Sequence, residues 1–365
     1  MTDGTRLLTI LLKASEKAAN IARVCRQDSV LFKLLVQEKS DEEKNPRFFQ
    51  DFKTLADVLI QETIRHDIEI EFPELAKMVQ GEENNIFSNT LGESVIVEIQ
   101  SDSDKTTALL AKVMASEWET AKLLASEVHR NIDLSEVPFT VKIPADLDIC
   151  IKDIGIWIDP IDSTADYING GETIDIESGL HLNGLRCVTV LIGVYLKSTG
   201  DPILGVVNQP FYTNFNGMWK GISYWGYNKN GIGECSIANG GDSNKVAVLS
   251  RCEDDYLKNK LLANNFTMVE ASGAGYKILS VALGQADVYI LSKGSTYRWD
   301  TCAPQSLLLS LGGGILDYQK FITNPDSDDL NVKYLTSSTN FSNSGGLIAY
   351  RNKEILEILK FILCK

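Results

Sequence analysis

The chain has 365 residues, 44% hydrophobic and 23% charged, with 27 Gly and 9 Pro, which excludes disorder, collagen and solenoid repeats and is long enough for two domains or two packed lobes. Asp and Glu number 49 against 35 Lys and Arg, a formal charge of −14. So acidic a body lacks the footprint of a nucleic-acid binder, and it repels a phosphorylated small molecule unless something local reverses the sign. Seven cysteines, odd in number and without close pairs, fit neither a disulfide framework nor a zinc knuckle. Their scatter points to a reducing, cytoplasmic setting, and with only three histidines any metal is expected to be held by oxygen. The Leu7 to Leu12 run is too short for a signal core and no apolar run approaches a bilayer span, so neither membrane nor nucleic acid is an expected partner.

In chain order, Leu7, Leu11, Ala14, Ala18, Ile21 and Cys25 recur at intervals of four and three and predict a helix with one buried stripe. A second helix is expected over residues 51–65, carrying Asp57, and a long surface helix over 106–130. From residue 154 short β-branched and aromatic runs predict strands at 154–159, 188–196, 205–208 and 246–249. The Asn/Gly/Ser-rich stretch 227–244 reads as a loop connecting two lobes. A helix over 272–283 stopped by Gly284, a strand at 287–291, a helix over 301–311, a strand at 347–350 and a closing helix from Lys353 complete an α+β pattern.

The chemistry concentrates at Trp157-Ile158-Asp159-Pro160-Ile161-Asp162-Ser163-Thr164, a strand running into a Pro-containing turn and then a helix start. Asp159 and Asp162 can converge there with the Ile161 carbonyl on a hard cation such as Mg²⁺, and amides at Ser163 and Thr164 can face an anion. The same Asp-x-x-Asp can equally be a capped turn with solvated acids, and the residues alone leave both open. Gly81-Glu82-Glu83 and Trp299-Asp300 are two further acidic features; taken singly they read as surface charge and as a helix N-cap.

Together and in this order, Gly-Glu-Glu, Asp-Pro-Ile-Asp-Ser-Thr and Trp299-Asp300-Thr301-Cys302-Ala303-Pro304, followed by Gly312-Gly313-Gly314, resemble the Mg²⁺-dependent, lithium-sensitive phosphomonoesterases that include inositol monophosphatase and fructose 1,6-bisphosphatase. Residues 51–59, 189–195, 274–277 and 345–350, and the long connection between Glu83 and Asp159, look like the inositol polyphosphate branch of that family. The resemblance implies a layered α/β/α/β/α sandwich in two lobes, residues 1–226 with most metal ligands and 245–365 with substrate-binding residues, and an active site between them. It implies metal ligation by Glu82, Asp159, Ile161, Asp162 and Asp300, with two or three Mg²⁺ per site and Li⁺ as inhibitor. Catalytic roles fall to Asp57, Glu83 and Thr164: Thr164 and Glu83 orient and deprotonate an attacking water, Asp57 accepts from the Thr164 hydroxyl, and no covalent phosphoenzyme forms. Substrate contacts fall to Asp162, Ser163, Thr164, Gly273, Ala274, Lys277 and Asp300. Lys277 by spacing alone is a solvated helix lysine, and Cys252 and Asp254 depart from the branch's pattern, with Arg251 as a substitute charge.

The implied activity is removal of the 1-phosphate from inositol 1,4-bisphosphate and inositol 1,3,4-trisphosphate by a monomeric cytoplasmic enzyme. The alternatives are a 3'(2'),5'-bisphosphate nucleotidase and, in another class, a catalytically silent sensor of inositol phosphates or metal.

Overall fold

A computed structural model describes residues 1–27, 32, 35–39, 52–88, 92–114, 117–139, 142–238, 245–336 and 340–364. Thr2 caps helix α1 (Asp3–Cys25) by accepting from the Thr5 amide, and the stripe from Leu7 to Cys25 is buried as its spacing predicts. Helix α2 runs Leu55–Glu71 rather than over 51–65. Residues Phe52–Thr54 pair as a strand with Val36–Glu38, and Thr54 and Asp57 then form a reciprocal capping box that fixes the helix start. Asp51 lies outside the described residues.

The expected single helix over 106–130 is two, α3 (Ser103–Val113) and α4 (Trp118–His129). Neither Gly nor Pro marks the break. The apolar rhythm continues through it because both pieces bury their apolar sides, Leu110 and Val113 in one, Leu124, Ala125 and Val128 in the other, and α3 packs on α4.

Two sheets follow. The first has order β6-β5-β4-β3-β2-β1, with β1 Val79–Gly81, β2 Ile154–Asp162, β3 Thr189–Leu196, β4 Pro202–Phe215, β5 Met218–Lys229 and β6 Ile232–Cys235. Most of 227–235, expected as loop, is thus the β5–β6 hairpin, whose strands pair from Gly226/Cys235 to Lys229/Ile232 around a turn at Asn230 and Gly231. Residues 239–244 lie outside the described set. The second sheet has order β8-β7-β9-β11-β10, with β7 Val246–Leu249, β8 Thr267–Glu270, β9 Val288–Leu291, β10 Gly314–Asp317 and β11 Leu347–Tyr350. The short helix α5 (Thr164–Asn169) follows β2; α6 (Asp255–Leu262), α7 (Ala274–Ala282), α8 (Arg298–Ser310), α9 (Tyr318–Thr323) and α10 (Glu354–Leu363) belong to the second half.

Strand alternation sorts these elements into layers. On one face of the first sheet Ile156, Ile158, Val190, Ile192 and Val206 meet α1 to α4. On its other face Trp157, Leu191 and Val207 meet α7, α8 and the inner residues Val248, Tyr289 and Ala349 of the second sheet. The outer residues Ala247, Leu249, Ile290 and Ile348 pack on α6, α9 and α10. The result is an α+β sandwich of layers α/β/α/β/α, as expected.

Helix α8 lies unusually deep on the first sheet. Gly193, Gly205 and Gly226 are direct cross-strand neighbours on β3, β4 and β5 and form a bare strip beneath it. A methyl group at Gly193 would come within 2.5 Å of the Ala303 amide and one at Gly226 within 2.6 Å of Leu307 Cα, while at Gly205 it would overlap the Ala303 carbonyl. Because backbone rather than flexible side chain stands opposite, Gly205→Ala is expected to lower unfolding stability by about 1–3 kcal/mol. Urea denaturation checks this, and a change within experimental error of wild type contradicts the seating.

Candidate metal centre and active site

Asp159 and Asp162 leave β2 at a register shift against β3, so the strand continues through Pro160 instead of ending before it. Ser163 then takes φ 73°, turning the chain into α5. Asp300 does not precede its helix. It is the third residue of α8, where its carboxylate accepts from the Tyr297 amide at 2.5 Å. With α8 on the glycine strip, Asp159, Asp162 and Asp300 each present an oxygen, all within 4.8 Å of one another.

The electrostatics of this centre are those of like charges out of water. Burial first, then Glu82, Asp162 and Asp300, pushes the Asp159 carboxyl well above the usual range; burial, Asp162 and Glu82 do the same to Asp300. Asp300 adds to the upward shift of Asp159, while Asp159 Oδ1 is buried with no partner among the described residues. Asp162 is raised only to about 6, by burial, because Lys277 and the Gly275 and Ala274 amides oppose the shift. Those amides donate at 2.9 and 3.2 Å and Thr189 Oγ1 at 3.2 Å, which ties the first turn of α7 to the first sheet. A buried, all-oxygen donor set with an orphaned carboxylate oxygen fits a hard divalent cation.

Glu82 and Glu83 follow β1 at the edge of the first sheet. The Glu82 amide donates to Ile158 O at 3.1 Å, beside Asp159. Gln61 holds Glu83 through its main chain, accepting from its amide at 3.0 Å and donating to its carbonyl at 2.5 Å. Burial pushes the Glu83 carboxyl up to about 8 and Asp57 up to about 7. Thr164 Oγ1 stands 3.1 Å from Ile161 O and 3.5 Å from Asp57 Oδ1, while Asp57 Oδ2 accepts from Thr54 at 2.6 and 2.7 Å. Ser163 Oγ turns to Asp166 at 2.6 Å.

A family description, the inositol monophosphatase family, matches residues 6–356. The chain belongs to the inositol monophosphatase family. Inositol polyphosphate 1-phosphatase of Mus musculus is 41% identical over 379 residues, covering 96% of this chain and 95% of the relative. That of Homo sapiens is 38% identical over 98% of this chain and 96% of the relative. With such relatives over nearly its whole length, the chain is a phosphatase. An inositol monophosphatase structure from Zymomonas mobilis, 14% identical, matches 100% of this chain and 99% of its own with a TM-score of 0.53, so the two share a fold.

Against this family background, three features of the site are absent from the sequence reading. Lys39, 7% exposed, places Nζ 2.6 Å from both Glu82 and Glu83, an internal cation between two glutamates; nothing in its local sequence marks it. Gln61 shares a helix face with Asp57 at i+4, a spacing that does mark it. Thr189 needs the β2–β3 register to be seen. Lys277 is no solvated lysine: it is 4% exposed, with Nζ 3.0 Å from Ala271 O and 5.1 Å from the Tyr289 ring centre. Asp254 caps α6 through the Tyr256 amide at 2.7 Å, and Arg251 beside it is exposed.

Carboxyl groups at about 6, 7 and 8 in the fold, against about 4 when unfolded, mean that the native state binds more protons than the unfolded one between about pH 4 and 8. Stability from these groups is full below that window and is lost as pH rises through it. The Tm of metal-stripped protein is therefore expected to fall between about pH 5 and 8, and Mg²⁺ to flatten the slope by taking the protons' place. A Tm that holds or rises over this window without metal contradicts the arrangement.

Proposed function

We propose that this phosphatase is a Mg²⁺-dependent phosphomonoesterase that removes the 1-phosphate of inositol 1,4-bisphosphate and inositol 1,3,4-trisphosphate and is inhibited by Li⁺. The observation that carries the metal dependence is the buried trio Asp159, Asp162 and Asp300 within 4.8 Å. Around it Asp57, Glu82 and Glu83 make six carboxylates facing two ammonium groups, Lys39 and Lys277, a formal excess of −4 that two divalent ions would offset. The substrate class rests on the inositol polyphosphate 1-phosphatase relatives at 38–41% identity.

On this reading Glu82, Asp159, Asp162, Asp300 and the Ile161 carbonyl hold the ions. Divalent cations there supply polarisation of a phosphoryl oxygen and an acidified water. The chain's own residues orient and move the proton. Thr164 Oγ1, between Asp57 and Ile161 O, fixes the water's direction, and Glu83, beside the Lys39 ammonium, accepts its proton. Gln61 keeps Glu83 in register for that role. Residues 245–365 form the lobe that recognises substrate. Gly273 at φ 72° lets the chain approach Cys187 O and Asp162, where a side chain would not fit, and so brings Ala274 to the site. Lys277 adds positive charge behind the substrate phosphate.

Phosphate release across inositol 1,4-bisphosphate, inositol 1,3,4-trisphosphate and adenosine 3',5'-bisphosphate, with Mg²⁺ and with added Li⁺, tests this. Turnover of the inositol phosphates, lost without Mg²⁺ and reduced by Li⁺, is expected. Turnover of the nucleotide alone overturns the substrate class, and binding without turnover overturns the enzyme reading in favour of a sensor. Thr164→Ala is expected to lower kcat more than it raises KM, since orientation of the water matters most in the transition state. A rise in KM at constant kcat removes Thr164 from that role.

A further inference from the structure

The turn between Asp162 and Thr164 is made by a residue poorly suited to it. Ser163 stands there at φ 73° and ψ 49°, in the left-handed region. A side chain crowds the backbone in that conformation, and Gly, then Asn and Asp, are the residues that adopt it readily. Of the other four non-glycine residues at positive φ among the described residues, three are Asn, and two of these, Asn216 and Asn230, sit in the hairpin turns that follow β4 and β5. Ser163 therefore needs support that those turns do not.

Ser163 is also the N-cap of α5, and its left-handed backbone denies it the usual cap: its hydroxyl accepts from no helix amide. It donates instead to Asp166 Oδ2 at 2.6 Å, in the first turn of the same helix. The other oxygen of that carboxylate, Oδ1, accepts from the Gly184 amide at 2.7 Å. Gly184 opens the turn Leu185–Cys187, and the Cys187 carbonyl lies against Gly273 at the entry to α7. The rest of α5 is fixed without Asp166. Arg26 donates to the Tyr167 and Ile168 carbonyls at its far end, and the buried Tyr167 hydroxyl donates to Ala22 O at 2.9 Å. Asp162 is fixed on the other side by Thr189 and the first turn of α7. Between two anchored pieces, the turn can relax only by moving Ser163 and its neighbour Thr164. The reach from Thr164 Oγ1 to Asp57 Oδ1, 3.5 Å, is already long for a hydrogen bond and tolerates little displacement.

We infer that Asp166 is a positioning residue: its carboxylate holds Ser163 in the left-handed turn that aims Thr164 at the attacking water. It acts through Ser163 and not on the reacting atoms, and its catalytic effect rests on the water-orienting role proposed for Thr164.

A double-mutant cycle tests this. Phosphate release is followed with whichever of inositol 1,4-bisphosphate, inositol 1,3,4-trisphosphate and adenosine 3',5'-bisphosphate the wild type turns over fastest, so that a wrong substrate class leaves the comparison intact. Asp166→Ala is expected to lower kcat by about tenfold with KM within about threefold, because a small misplacement of an orienting group is enough for such a loss. In a Ser163→Gly background, where the left-handed turn carries no side-chain cost, the same change is expected to lower kcat by about twofold or less. The cycle read in Tm, which needs no turnover, is expected to agree, with a smaller fall for Asp166→Ala in the Ser163→Gly background. If Asp166→Ala does not fold, Ser163→Ala and Ser163→Gly replace it. Both lose the hydroxyl and only the first keeps the strain, so kcat is expected to be about fivefold or more lower in Ser163→Ala than in Ser163→Gly. Equal losses in both backgrounds, no coupling in Tm, a rise in KM at constant kcat, or equal kcat in the two Ser163 variants overturns the proposal. Such a result alongside a Thr164→Ala enzyme of lowered kcat is failure of the Asp166 contact alone; an unchanged kcat in Thr164→Ala is failure of the Thr164 role, and the positioning claim falls with it.

Discussion

Carboxylates gathered out of water repel one another, and the desolvation of each costs on the order of several kcal/mol unless a counter-charge is supplied. Asp159, Asp162 and Asp300 are held in that condition, and the protein relieves it only in part. Asp162 receives two amides and a hydroxyl, and Lys39 stands between Glu82 and Glu83. The Lys39 ammonium is a counter-charge that a divalent ion would replace. On the proposed function, divalent ions held there would make a phosphate welcome in a chain of charge −14.

The fold serves this centre by bringing three separate stretches to one edge of the first sheet. Asp159 and Asp162 come from a bulged strand, Glu82 and Glu83 from the neighbouring edge strand, and Asp300 from a helix in the layer between the sheets. The glycine strip on β3, β4 and β5 lets that helix sit on bare backbone. The stack of Tyr297 on Trp299, with ring centres 4.7 Å apart, and the Trp157 and Phe341 rings beside it secure the helix's first turn, where Asp300 lies.

What was legible in the sequence followed from local rules. The α1 stripe, strands 246–249 and 347–350, and the Gly284 stop were all readable because periodicity and positive φ leave marks in the residues themselves. The break between α3 and α4 was not, since two helices that bury the same side on one core keep a single rhythm and no breaker residue intervenes. The β5–β6 hairpin reads as loop in the sequence because its Asn and Gly residues belong to a turn inside a strand pair. At the site, Asp159 and Asp162 leave one strand end in the sequence, but their meeting with Asp300 depends on Gly193, Gly205 and Gly226, far from all three in the chain. Lys39 and the burial of Lys277 are tertiary facts with no local signal.

The central claim is that these carboxylates are a cation cage rather than a proton-sharing cluster of structural acids. Crystals grown or soaked with Mn²⁺, with data collected at the manganese absorption edge, test it most directly. The account predicts an anomalous peak in contact with Asp159, Asp162 and Asp300, with the Lys39 ammonium displaced from Glu82. A fully ordered site with no anomalous density among those three carboxylates, and Lys39 unmoved, contradicts it.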